Sequence, residues 1–264
     1  MGYIKDLKDQ ALATLKGKWG SFVGLTFIYM LLYVLASCLA QYGTIFQGSS
    51  FKTLAIVFSF IGIILMVLFV PIQYGYYIAH LNSSRQDLPA DISDLFCGYK
   101  RFVDVFATML LQFLVIFAAL LPYFIFIVVS ATMNLFESHI FIVIGLGCLF
   151  MIPGLIAGLA YTMVPFILHD KPELRPSDVL RESRMMMKGH KWELFLLMLS
   201  FFGWMILCVF TLGIGMLWLM PYMQMTITKF YEQIRAEYEG VGEENEPVVL
   251  NEPAEETVPV EDAE

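Results

Sequence analysis

Leu194–Thr228, LFLLMLSFFGWMILCVFTLGIGMLWLMPYMQMTIT, runs for thirty-five residues without a charge. As a single helix rising 1.5 Å per residue it would extend about 52 Å, well beyond the roughly 30 Å of hydrocarbon in a bilayer unless steeply tilted. Thr211-Leu212-Gly213-Ile214-Gly215 interrupts it, and the two glycines permit the positive φ angles of a tight reversal. The stretch therefore predicts two spans, about 192–210 and 216–236.

Four more uncharged runs, 19–51, 53–84, 105–136 and 138–169, each exceed the roughly 20 residues a crossing helix needs. They predict spans near 20–42, 53–80, 103–130 and 140–168. Helices satisfy their own backbone groups in lipid over such lengths, whereas barrel strands would alternate and be far shorter. Composition points the same way: 58% of the 264 residues are hydrophobic, 15% are charged, and the mean hydropathy is +0.70. A soluble domain could not cover its surface with so few polar groups. The expected fold is all-α and polytopic, with six transmembrane helices in three hairpins over residues 1–239.

Charge placement tests that count, because cytoplasmic loops are enriched in Lys and Arg. Six crossings put fifteen of the sixteen basic residues on one side, leaving Lys52 alone opposite. A five-span arrangement would move Lys229 and Arg235 across and leave thirteen against three. The expected arrangement is thus a multi-pass membrane protein with both termini cytoplasmic. The net charge of −8 is set by the last residues: nine acids lie between Glu243 and Glu264, in a Pro- and Glu-containing segment without aromatics. Such a composition predicts a disordered acidic cytoplasmic tail over 240–264.

Cys38, Cys97, Cys148 and Cys208 are far apart, with no CxxC or Cys/His ligand spacing, so no metal and no disulfide framework is expected. Leu35-Ala36-Ser37-Cys38 has the look of a lipobox, but the patterned helix before the apolar run favours an ordinary span. Met1-Gly2 is followed by Asp6 where a myristoylation signal has Ser or Thr.

The loops repeat a pattern. From Pro176 and Ser177, a helix start, Val179, Leu180, Ser183, Met186, Met187 and His190 recur at helical spacing while Arg181, Arg184 and Lys188 fall on another face. Gly189 is placed to end that helix in a left-handed conformation. Ile4, Leu7, Ala11, Thr14 and Leu15 trace a similar face before the first span, and Ile92, Leu95 and Phe96 a shorter one before the third. Interfacial amphipathic helices are thus expected at about 3–16, 91–97 and 177–188, apolar side toward the membrane. Each closes with a glycine and a basic anchor: Lys16 and Lys18, Lys100 and Arg101, Lys188 and Lys191. With Arg181 and Arg184, these cations form an expected contact surface for anionic lipid headgroups. The second span of each hairpin carries a proline, Pro71, Pro153 or Pro221, expected to kink its helix. The units read as a threefold pseudo-repeat.

The run Arg181-Glu182-Ser183-Arg184-Met185-Met186-Met187-Lys188-Gly189-His190-Lys191, with Leu199–Trp204, Thr211–Gly215 and Pro221-Tyr222-Met223 through Phe230-Tyr231, resembles the bacterial integral-membrane family called domain of unknown function 975. Leu15–Gly20 and Ser93–Phe96 with Gly98 are similar too, so the resemblance covers residues 1–236. The organisation is more distantly similar to the non-catalytic membrane domain of some glycerophosphoryl diester phosphodiesterases. That resemblance implies work beside lipid metabolism and carries no catalytic residue.

No Asp, Glu, Lys or Arg lies within the runs, which disfavours an ion-coupled transporter. His80 and His169 sit at cytoplasmic ends. No nucleophile–base pair or carboxylate cluster appears, so neither catalysis nor a cofactor is expected. Neutral polar groups near the prolines remain: Gln73, Tyr74 and Tyr77; Tyr161 and Thr162; Tyr222, Gln224 and Thr228. Interhelical hydrogen bonding is their commonest role. The functional alternative is a polar-lined groove formed by Gln73, Tyr77, Tyr161, Tyr222, Gln224 and Thr228. Gly154–Gly158 reads as a close helix contact. The sequence thus predicts a non-enzymatic module that engages membrane lipids, with a protein partner as a further expectation and nucleic acid excluded. A facilitator or exporter of a lipid-like or small amphiphilic substrate is the alternative.

Overall fold

The computed structural model describes residues 2–45, 52–133 and 140–245, and among these the regular structure is all helical. The helices are α1 (Gly2–Leu15), α2 (Trp19–Ile45), α3 (Lys52–Gln86), a 3₁₀ helix (Ile92–Arg101), α4 (Phe102–Thr132), α5 (Ile140–Ala160), α6 (Val164–Asp170), α7 (Pro176–Met186), α8 (Lys191–Phe210) and α9 (Met216–Asn245). Five segments among the described residues are long and apolar enough to cross a membrane: Trp19–Gln41, Ile56–Gln86, Ile92–Thr132, Ile140–Asp170 and Lys191–Phe210. The segment 216–236 is not among them. Its helix begins apolar and then carries Lys229, Glu232 and Arg235, and it continues to Asn245, past the point where the acidic tail was expected to begin. The remainder of that tail lies outside the described residues.

Three contacts bring the first and last turns of successive helices together. Lys18, just before α2, pairs with Asp87, just after α3. Arg101, before α4, donates to the carbonyl of Pro172, after α6, at 2.5 Å. His190, before α8, lies 3.8 Å from Glu237 late in α9. The starts of α2, α4 and α8 and the ends of α3, α6 and α9 therefore share one end of the bundle, which also holds most of the charge. The far end of α8 and the loop after it are bare, with Phe210 80% and Leu212 93% exposed. Dense packing sits toward the charged end, where Leu7, Ile78, Met163, Phe166, Leu194 and Tyr231 are essentially inaccessible.

The apolar stripes of α1 and α7 turn inward, not toward the membrane. Leu7, Ala11 and Leu15, and Val179, Leu180, Ser183, Met186 and Met187, are buried within the protein's own core. A stripe that meets other helices cannot also face lipid. Lys8 shows how closely α1 is docked: its Nζ lies 4.2 Å over the Phe201 ring and donates to the Ser200 carbonyl at 3.2 Å. The segment expected as a helix at 91–97 is a 3₁₀ helix extending to Arg101, its start capped by Asp91 accepting from the Ser93 amide at 3.0 Å. With three residues per turn, Ile92, Leu95 and Gly98 align. Leu95 and Gly98 are buried, while Ile92 and Phe96 stay exposed.

Gly17 and Gly189 adopt φ of +80° and +100°, as a glycine break requires. Gly98 has another role. A Cβ there would lie 2.6 Å from the Pro71 carbonyl oxygen, and one at Gly75 2.2 Å from that of Leu95, so the 3₁₀ helix rests on α3 backbone to backbone. The expected repeat of glycine breaks thus applies to two units.

Helix continues on both sides of Pro71, Pro153 and Pro221, and also of Pro122 in α4. Discontinuity falls elsewhere: the span expected at 140–168 breaks at residues 161–163, between α5 and α6, and Pro165 opens the second piece. Of the expected small-residue contact, Gly154 meets the Leu120 side chain and Gly158 faces open space.

Candidate functional site

The break between α5 and α6 releases backbone carbonyls in an apolar setting, where each must find a donor. Pro165 has no N–H to offer Tyr161 four residues back. The Tyr161 carbonyl accepts instead from the Val164 amide at 3.3 Å and from Nε2 of Gln112 in α4 at 3.1 Å. Ser183 of α7, fully buried, donates from Oγ to the Ala160 carbonyl at 2.9 Å, and Thr162 Oγ1 to that of Gly158 at 2.9 Å. Side chains from α4, α7 and the break itself are thereby drawn to one place.

Beside the break lies a cavity of about 680 Å³ bounded by α3, α4, α5, α6, α8 and α9. Its wall is mostly Met, Val, Leu, Ile and Phe, with no Asp, Glu, Lys, Arg or His. Five polar side chains enter it: Gln73, Tyr77, Gln112, Thr162 and Gln224. Gln73 Nε2 is 3.4 Å from Tyr77 Oη. Two amide atoms are buried without a hydrogen-bond partner, Oε1 of Gln112 and Nε2 of Gln224. The Gln112 orientation is fixed by the Tyr161 carbonyl, which accepts only from an N–H. Val67, Leu110 and Phe113 line the cavity and are also well exposed on the bundle's flank, so it opens sideways between α3 and α4.

Above it, toward the charged end, sits an ionic cluster. Asp170, its side chain 6% exposed, receives Arg85 at 2.7 and 2.8 Å, Arg235 at 2.5 Å and the Tyr231 hydroxyl at 2.7 Å. Glu232 extends the network to Ser84 at 2.7 Å and lies 3.5 Å from Lys229. Lys171 bonds Glu182 of α7 at 2.5 Å, which holds its ammonium above the ordinary lysine value. At the rim, the ammonium of Lys18 keeps the exposed Asp87 carboxyl below its usual range. Burial raises the Tyr3 hydroxyl to about 12, helped by Glu193 and Glu237. Burial also draws Lys8 below its ordinary value.

Of the groove residues expected from sequence, Gln73, Tyr77 and Gln224 line the cavity. Tyr161, Tyr222 and Thr228 do not. Tyr161 contributes its carbonyl to Gln112, Tyr222 stands edge-on to Phe201 with ring centroids 5.1 Å apart, and Thr228 is buried, bonding the Gln224 carbonyl of its own helix at 2.9 Å. Gln112, the sole glutamine in the 105–136 run, also lines the cavity and lies outside the proline-centred polar set. Among the expected headgroup cations, Lys18 and Arg101 are engaged with Asp87, Asp104 and the Pro172 carbonyl. Lys16, Lys100, Arg181, Arg184 and Lys188 project outward, and Lys191 is half-buried. Among the described residues no group of three His, Cys, Asp or Glu side chains is placed to hold a metal.

The chain belongs to the family described as Protein of unknown function (DUF975), whose profile matches residues 1–238. No curated protein and no solved structure matches it.

Proposed function

We propose that this DUF975 member is a six-span, non-enzymatic membrane module that binds lipid, with the cavity between α3 and α4 as the site of an inserted amphiphile. The observation that carries the reading is the cavity itself: a largely apolar space with a small polar cluster and a lateral mouth, in the size range of about 300–1,000 Å³ typical of small-molecule pockets. An acyl chain enters through Val67, Leu110 and Phe113, and a polar group meets the glutamines. Support for the sixth crossing comes from the turn at 211–215, where Leu212 and Gly213 take φ of +51° and +85°, and from His190 lying beside Glu237. Both termini then lie with the basic loops, on the cytoplasmic side under the positive-inside rule. Arg181, Arg184 and Lys188 attract anionic headgroups to that face, each worth about 1 kcal/mol near a charged surface. A partner protein would use the same face.

The test is retention of lipid in mild detergent, counted by native mass spectrometry. Gly158 lines the cavity and a Cβ there meets nothing within 4 Å, so Gly158→Leu adds volume at an open position of its wall. The variant should lose a bound lipid that the parent keeps. Equal retention by both proteins would count against the pocket.

A further inference from the structure

We infer that residues 246–264 are an internal competitor for anionic lipid: this acidic segment docks on the basic stripe of Arg181, Arg184 and Lys188 and occupies the cations that otherwise meet headgroups. The competing role rests on the headgroup reading above; the docking does not.

Charge balance picks out the stripe. Lys18, Arg85, Arg101, Lys171, Lys229 and Arg235 are each paired with a carboxylate. Arg181, Arg184 and Lys188 stand exposed at i, i+3 and i+7, on one face, and no carboxylate among the described residues pairs with them. Glu182 is taken by Lys171, and Asp178, one turn before Arg181, leaves the stripe a cation excess. The other helix packed beside α9, α1, offers no equal surface, because Lys5 is followed by Asp6 and Asp9.

The fold delivers the acidic segment to this stripe. Glu182 and Met186 of α7 and Arg235 and Glu239 of α9 line one small crevice, and Glu237 lies 3.8 Å from His190, just past α7. Helix α9 thus runs against the α7 unit and ends at Asn245, about 9 Å beyond Glu239. Residues 246–264 then carry seven acids and no Lys, Arg or His. Extended, they reach about 60 Å, against a stripe about 10 Å long, so length is no obstacle. An anionic leaflet repels such a segment, which leaves the unpaired cations of the protein as its counter-charge. Tethering supplies an effective concentration on the order of millimolar, so a weak charge contact suffices to fill the stripe.

The experiment uses the full chain in a cysteine-free background, with spin labels at Met185→Cys, exposed beside the stripe, and at Thr257→Cys. In phosphatidylcholine nanodiscs at low salt, double electron–electron resonance should show a short-distance population. Replacing the seven acids by their amides, combining Arg181→Gln, Arg184→Gln and Lys188→Gln, or raising NaCl to about 1 M, where charges are screened within about 3 Å, should each abolish it. Without labels, native mass spectrometry should find several-fold more phosphatidylglycerol on the chain with amidated acids than on the parent, and the gain should vanish when the stripe is neutralised as well. Long distances in the parent, or short ones that survive neutralisation of the stripe, would overturn the inference and leave the headgroup reading standing. Short distances that depend on the stripe, with phosphatidylglycerol retention unchanged by any of these substitutions, would overturn the headgroup reading and the competing role with it.

Discussion

Phe166 and Tyr231 stack with their ring centroids 4.8 Å apart and their planes 17° from parallel. Phe166 lines the cavity, and Tyr231 bonds Asp170 in the ionic cluster. The stacked pair thus links the cavity wall to the ionic cluster, so the cluster's integrity bears on the shape of the space below.

Asp170→Ala removes the anion that two arginines and a tyrosine share. Deleting one member of a buried ion pair costs about 3–5 kcal/mol. Arg85 and Arg235 are each about a third exposed and can recover some hydration, so the lower end of that range is expected. Thermal unfolding followed by dye capture of Cys208, buried in the folded protein, should show a markedly lower midpoint in a background lacking the other cysteines. An unchanged midpoint would show that the cluster contributes nothing net.

Tyr231→Phe keeps the stack on Phe166 and removes only the hydroxyl. Loss of a hydrogen bond to a charged acceptor costs about 1.5–3 kcal/mol. The same assay should place this variant between the parent and Asp170→Ala. If it matches Asp170→Ala, the arginines are bystanders and the tyrosine does the work.

Glycines of one composition should respond in opposite ways. Gly98→Ala and Gly75→Ala drive a methyl into the carbonyls of Pro71 and Leu95, and forced repacking of that kind costs about 1–3 kcal/mol. Gly158→Ala meets no neighbour and gains helix propensity, worth about 0.5–1 kcal/mol in its favour. Melting midpoints in detergent decide the matter, and destabilisation by Gly158→Ala would mean that its surroundings are tighter than described.

Side-specific labelling addresses the crossing number. In a cysteine-free background, an impermeant thiol reagent added to intact cells should modify Leu212→Cys, on the bare far loop, and should reach Gly240→Cys, beyond the expected sixth span, only after the membrane is opened. Labelling of both in intact cells would reject six crossings.

The helices were legible because uncharged length is a property of the chain itself: α2, α3, α4 and α8 start and end near the expected limits. Gly17 and Gly189 could be read for the same reason, since a left-handed break is local. What could not be read is where an apolar stripe points. Leu7 and Val179 have helical spacing whether the neighbour is lipid or protein, and only the fold shows that both are covered by other helices. The break at 161–163 was hidden by an unbroken apolar run, although Pro165, unlike Pro153, turns out to mark it. Gln112 illustrates the remaining gap: its partner carbonyl lies forty-nine residues away, at a distance no local pattern records.

The Ser183 hydroxyl that completes the Ala160 carbonyl belongs to a helix made later in synthesis than the one it completes. A nascent chain released into lipid before that serine emerges from the ribosome would carry a bare carbonyl in oil. Closure of the break between α5 and α6 therefore waits on α7, made later in synthesis.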